Sequence, residues 1–163
     1  AHAATQGDDA HAATQGNWAH AATQGNRAHA ATQGNRAHAA TQRDDAHAAT
    51  QGDDAHAATQ GNWAHAATQG DDAHAATQGD WAHAATQGNR ARASVKGTNS
   101  IACALGINGA AKGAKGCWIA VAQYDENYNI IGGRFAMVDG EKIKEDTYYT
   151  LKNGEFVEAK END

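Results

Sequence analysis

Proline is absent from the 163 residues, and large aliphatic side chains are nearly absent from the first ninety. Ala, Thr and Gly dominate that stretch, which excludes a thick globular core there. Whatever folds must be thin and held by backbone pairing and small-side-chain packing. Basic residues are also few. Residues 1–90 carry four Arg (27, 36, 43 and 90) against nine Asp, a net of −5, and residues 91–163 carry nine Lys or Arg against ten acids, a net of −1. Neither half offers the basic face that nucleic acid requires. No apolar run is long enough to cross a bilayer, and the start shows no charged-then-apolar signal segment, so the chain as given reads as soluble, without membrane insertion. It begins in register with its own repeat and without Met, which leaves its natural beginning, a removed leader and its compartment open. The only cysteines, Cys103 and Cys117, form no C-x-x-C pair; they indicate no zinc or redox motif and read as two small buried thiols.

What the chain has is repetition. Residues 1–90 are ten uninterrupted copies of a nine-residue unit, A-H-A-A-T-Q-G-[D/N]-x, with Arg43 replacing the Gly once. So short and strict a period identifies a repeat architecture. A helix is disfavoured because a Gly every nine residues would cost about 1 kcal/mol each time. Strand and turn remain: A-H-A-A-T forms a strand, and Q-G-[D/N]-x turns the chain, since Gly accepts positive φ and Asp or Asn can bond its own backbone.

The degenerate units past residue 90 show which columns must stay small. The third column continues as Ala93, Ala102 and Ala120, and the fifth, Thr in the repeats, as Val95, Ala104 and Ala122. Period two then places the first, third and fifth positions inside. The second column, His in all ten copies, continues as Arg92, Ile101 and Ile119 and is expected to face out. Aligning residues 100–104 with 118–122 suggests a coil of two nonapeptides, so five coils fill residues 1–90. With strands about 4.8 Å apart they would form a flat rod on the order of 25 Å long.

Residues 97–122, GTNSIACALGINGAAKGAKGCWIAVA, resemble the head repeats of trimeric autotransporter adhesins of the YadA type, in which S-x-A-x-G and A-x-A-x-G segments alternate. The resemblance implies a left-handed parallel β-roll, with trimerisation and adhesion as the associated properties. The tail, DTYYTLKNGEFVEA, is similar to tails of uncharacterised repeat proteins from phages and prophages, which implies a phage particle or bacterial surface as the setting.

Large residues return from Cys117 onward, among them Trp118, Ile119, Val121, Ile130, Ile131, Phe135, Met137, Val138, Tyr149, Leu151 and Val157, and read as the only conventional core. Turn signals at residues 125–129, at Asp139-Gly140 and at Asn153-Gly154 divide this part into short strands. The predicted fold is therefore all-β: a parallel β-solenoid over residues 1–116, strict to 90 and degenerate over 91–116, followed by a small antiparallel β-meander over 117–163 that caps its end. No cap precedes Ala1, so self-association is expected, as a trimer or end to end through that edge.

Candidate sites are few. Two outward His columns with rings about 4.8 Å apart could share a transition metal, although stacked neutral rings account for them without one. The ninth column varies among Asp, Trp and Arg and offers cross-rung pairs such as Asp9 with Arg27. Asp53, Asp54, Asp71 and Asp72 bring four carboxylates onto consecutive rungs; they could hold calcium or form a screened, mildly repulsive patch. The match to calcium-binding G-G-x-G-x-D-x-U-x nonapeptides is poor, because only one Gly recurs. Corner Trp residues could stack on sugars or nucleobases, and a regular Thr ladder raises ice binding, against which stands its expected inward facing. No nucleophile, base and acid set is discernible, so no enzyme, catalytic residue, cofactor or resident metal is expected. The sequence points to a non-enzymatic structural or adhesin-like repeat protein, with a binding module for ice, metal or glycan as the alternative and the ligand unknown.

Overall fold

A computed structural model describes residues 1–160; the last three residues of the expected cap, 161–163, lie outside the described residues. Each nonapeptide forms one strand: β1 (His2–Gln6), β2 (His11–Gln15), β3 (His20–Gln24), β4 (His29–Gln33), β5 (His38–Gln42), β6 (His47–Gln51), β7 (His56–Gln60), β8 (His65–Gln69), β9 (His74–Thr77) and β10 (His83–Gln87). The degenerate units supply β11 (Arg92–Val95), β12 (Ile101–Ala104), β13 (Ala110–Gly113) and β14 (Trp118–Tyr124). Alternate strands pair in parallel, odd in one sheet and even in the other, so the chain winds through about seven turns of an all-β solenoid. Through the repeats every residue pairs with the one eighteen later, as in His2 with His20 and Thr5 with Thr23. One coil is two nonapeptides.

The interior follows the period-two expectation. Ala of the first and third columns and Thr of the fifth point inward and are buried from the third repeat onward, while His, the fourth-column Ala and Gln point out. Because these inward side chains are small, the two sheets share a thin core of stacked Ala columns that thickens only near Val95, Ile119, Val121, Val138 and Leu151. Corner backbones continue the ladder: the N–H of Asp9 donates to Asn26 O at 2.9 Å, and that of Trp18 to Asn35 O at 3.0 Å. Hydrogen bonding thus runs the length of each coil, compensating for the little area each residue buries.

Two expectations fail at one place. The half-coil Ala110 to Cys117 is one residue short, so Ile101 pairs with Trp118 and Ala102 with Ile119. The eighteen-residue alignment of 100–104 with 118–122 is therefore off by one. Ile119 and Val121 are buried inside, whereas Ala120, expected inside, sits half-buried on the outer side. Gly116, at φ 87°, closes the shortened corner. The large residues do not all form a core either: Trp118, Ile130, Ile131, Phe135, Met137 and Val157 are exposed. Of the two thiols, Cys117 is buried and donates to Gly97 O at 2.7 Å, while Cys103 is only half-buried, on the outer side.

Antiparallel strands finish the C-terminal end and divide between the two sheets. β15 (Ile130–Met137) pairs with β14, and the hairpin β16 (Tyr149–Lys152) and β17 (Glu155–Glu158) joins the odd sheet beside β13. The turn signals act as read. Asp125 Oδ1 accepts from the N–H groups of Asn127 and Asn129, Asp139 Oδ1 from those of Glu141 and Ile143, and Asn153-Gly154 closes the hairpin.

Two features locate cost in this thin fold. The hydroxyls of the ten repeat threonines are buried without a hydrogen-bond partner, each an expense of about 1–3 kcal/mol. At the seventh position, a Cβ built on Gly25 or Gly61 would run into the carbonyl oxygen of the residue one coil earlier. Arg43 stands between them in that column with φ swung to 119°, against 156° and 158° at these glycines. Thr59→Val and Thr77→Val, which extend the exchange already made at Val95, are expected to raise the urea-unfolding free energy by about 1 kcal/mol each. Arg43→Gly is expected to add about 1 kcal/mol or more, and Gly61→Ala to remove more than about 2 kcal/mol. A lower midpoint for the Thr→Val pair would show that the hydroxyls are satisfied.

Candidate functional site

Strict eighteen-residue register determines what each surface column can do, because every outward side chain meets its own equivalent one coil later. The His columns stack: ring centroids lie 4.8–5.0 Å apart, and successive planes tilt by 14° or less, in His2–His20–His38–His56–His74 and in His11–His29–His47–His65–His83. Two nitrogens bound to one zinc ion at about 2.0–2.1 Å can be no more than about 4.2 Å apart. Equivalent nitrogens of parallel rings repeat at the centroid spacing, so neighbouring imidazoles in this arrangement do not share an ion. Among the described residues no three His, Cys, Asp or Glu side chains converge as a metal-binding group.

The Gln columns form amide ladders. On the even sheet Gln15, Gln33, Gln51 and Gln69 each donate Nε2–H to the next Oε1, ending on Gln87, at 2.9–3.3 Å. The odd sheet repeats the pattern from Gln6 through Gln24 to Gln42. Between the His and Gln ridges the fourth-column alanines form a floor, and on the even sheet this makes a trough from Ala31 to Cys103 and Leu105. Burial pushes the Cys103 thiol pKa up, so it stays protonated and weakly nucleophilic.

The eighth position explains its own restriction to Asp and Asn. Its Oδ1 accepts the backbone N–H of the equivalent residue one coil later, as from Asn26 to Asp8, Asp71 to Asp53 and Asn89 to Asp71. Within the acidic patch, Asp53 and Asp71 are thus committed to the backbone, Asp54 pairs with Arg36 at 3.5 Å, and Asp72 pairs with Arg90 at 2.7 Å. The four carboxylates serve corners of the fold. Ninth-position residues are likewise partnered along the edges: Arg27 with Asp9 at 3.0 Å, Trp63 stacked on Trp81 at 5.3 Å, and the Arg36 guanidinium 4.9 Å above Trp18.

Sequence reasoning missed the apolar end of the even outer face. Ile119 and Val121 point inward, so their neighbours Trp118 and Ala120 and the paired Met137 and Phe135 face out. The Trp118 and Phe135 rings stack at 4.7 Å. The signal was the alternation in Ile101-Ala-Cys-Ala-Leu105, hidden once the register slipped by one. Comparisons with family models, curated proteins and solved structures return no match.

Burial first, and then repulsion from stacked neighbours, pushes the pKa of His29, His38 and His65 below the ordinary 6.5; at His74 burial is followed by His56 and Arg92. A depressed histidine pKa means the unfolded chain binds protons more tightly. Stability from these groups is therefore complete above pH 6.5 and declines as the pH falls toward the lowered values. The melting temperature is expected to be level from about pH 8 to 7 and to drop between about pH 6.5 and 5, before most carboxylates titrate. A level curve across that window would count against closely stacked imidazoles.

Proposed function

We propose that this chain is a non-enzymatic, self-associating structural element, fibre-like or adhesin-like, of a phage, prophage or bacterial surface. One observation carries the reading: the chemistry-bearing side chains of the repeat, namely the imidazoles, amides, eighth-position carboxyls and corner charges, engage their equivalents or neighbours one coil away. Such a surface is uniform along its length, which suits repeated contacts between copies better than a unique cleft for one substrate. The resemblance of residues 97–122 to adhesin head repeats supports the same class. No helix among the described residues is long and apolar enough to cross a membrane.

Light scattering over a range of concentrations, with and without a chelator, tests the proposal. The expected result is a discrete oligomer, or assemblies that grow with concentration, unchanged by chelation. A monomer throughout, or an oligomer that the chelator dissolves, would overturn it in favour of a ligand-binding or metal-dependent module.

A further inference from the structure

One fifth of the residues in this chain are Asp, Glu, Lys or Arg. Among the described residues, the three outward columns of the even sheet carry none of them. Its three outward columns run from His11, Ala13 and Gln15 to Trp118, Ala120 and Ala122, then on to β15, where Met137, Phe135 and Gly133 continue them. The odd face differs, since Arg92 follows His74 in its His column, Lys112 follows Ser94 in the alanine floor, and Lys96 lies beyond Thr77. The two faces share the same repeats, so the contrast arises in the degenerate coils.

The relief of the uncharged face is as regular as its composition. The His and Gln ridges are about 13 Å apart, four residues along the strand, with the alanine floor between them. At its end the floor meets Cys103 and Leu105, and then the exposed Phe135 and Met137, 55% and 47% accessible.

We infer that this face binds the same face of a second copy of the chain, side by side and with both C-terminal ends together. The inference rests on the self-association proposed above and assigns it to one surface. A half-turn about an axis parallel to the solenoid keeps the rungs of both copies matched. A lateral offset of half the ridge spacing then seats the His ridge of each copy in the alanine trough of the other, the interdigitation of a dry sheet–sheet interface. The same rotation brings the Leu105, Trp118, Phe135 and Met137 ends together, whereas opposed ends would set each against the His and Gln of early repeats. The three outward columns bring no fixed charge into the contact, and Asp9, Arg27 and Asp45, beside the His ridge, lie at its rim, in keeping with the depletion of charge at interface cores. At that offset eight strands share a strip of about 40 by 9 Å, roughly 350 Å² per copy and about 700 Å² for the pair, the size of a weak, concentration-dependent contact.

Paired arginines on the two alanine floors test the assignment by sedimentation equilibrium, with circular dichroism to confirm the fold. Ala49→Arg with Ala67→Arg blocks the even trough, and Ala40→Arg with Ala58→Arg places the same charge on the odd floor. The even pair is expected to weaken association at least about 100-fold, and the odd pair to leave it unchanged. Phe135→Glu, on an exposed side chain far from both pairs, gives up its stack on Trp118 and is expected to weaken association while the chain stays folded by circular dichroism, which keeps the test decisive if the arginine variants misfold. An oligomer that survives both the even pair and Phe135→Glu overturns the assignment while leaving self-association standing. A wild-type monomer at every concentration overturns both. Saturable binding of wild-type monomer to ice or to an insoluble polysaccharide, lost in the even pair, would replace the second copy as occupant.

Discussion

Everything in this fold depends on a backbone ladder that places each residue directly over the one eighteen positions earlier. At a spacing near 4.8 Å a column can contain only side chains that tolerate their own equivalent as a neighbour. Imidazoles meet that condition by stacking, primary amides by donating one way along the column, and alanines by being small. The seventh position meets it with glycine in nine of ten copies, because from Gly25 onward a Cβ on these glycines would strike the carbonyl of the coil before, and with Arg43 only where φ swings to 119°. The eighth meets it with a carboxyl or amide oxygen that accepts the next coil's N–H. The near-invariance of the unit is thus a stereochemical demand of the ladder, and needs no ligand to explain it.

The ninth position is the exception that shows how the demand is met. It alone varies freely, yet each of its ten residues takes a left-handed φ of 55–63° to turn the corner. Trp and Arg have no special ease there and carry roughly 1 kcal/mol or more of strain each, whereas Asp is better suited to it. In the degenerate coils Asn99 and Asn108 occupy the same conformation, the residue type better suited to it. Corner strain and unsatisfied threonine hydroxyls are both tolerated because the continuous backbone hydrogen bonding of each coil outweighs them.

Much of this was legible in the sequence. The inward Ala and Thr columns, the outward His and the two-repeat coil follow from period two and from exchanges such as Thr77 to Val95. The failures at β14 and its neighbour β15 have one physical origin. A single missing residue between Ala110 and Cys117 inverts the facing of everything after it, since a one-residue shift exchanges the two sides of a strand. Ile119 then moves inside, and Trp118, with Phe135 and Met137 of the antiparallel β15, moves out onto the even face. Composition could not show this, because Ile-Ala-Val-Ala reads equally well in either register. The ladder roles of Asp53 and Asp71 were hidden for a different reason: they depend on backbone N–H groups eighteen residues away, which residue identity does not reveal.

Identical repeats carry a hazard that the ninth column answers. Ten copies of one unit offer many alternative pairings of almost equal energy, in which a coil is looped out and its neighbours close over the gap. The ladder columns cannot oppose this, since His on His or Gln on Gln is the same in every pairing. Only the corners distinguish one coil from another. The native register sets Arg27 on Asp9, Trp81 on Trp63 and Arg90 on Asp72. Looping out the coil that contains Arg27 would bring Asp45 over Asp9, replacing an attraction by a repulsion. Each exposed pair contributes only a few tenths of a kcal/mol. Against that alternative they favour the native register, which the uniform columns by themselves cannot do.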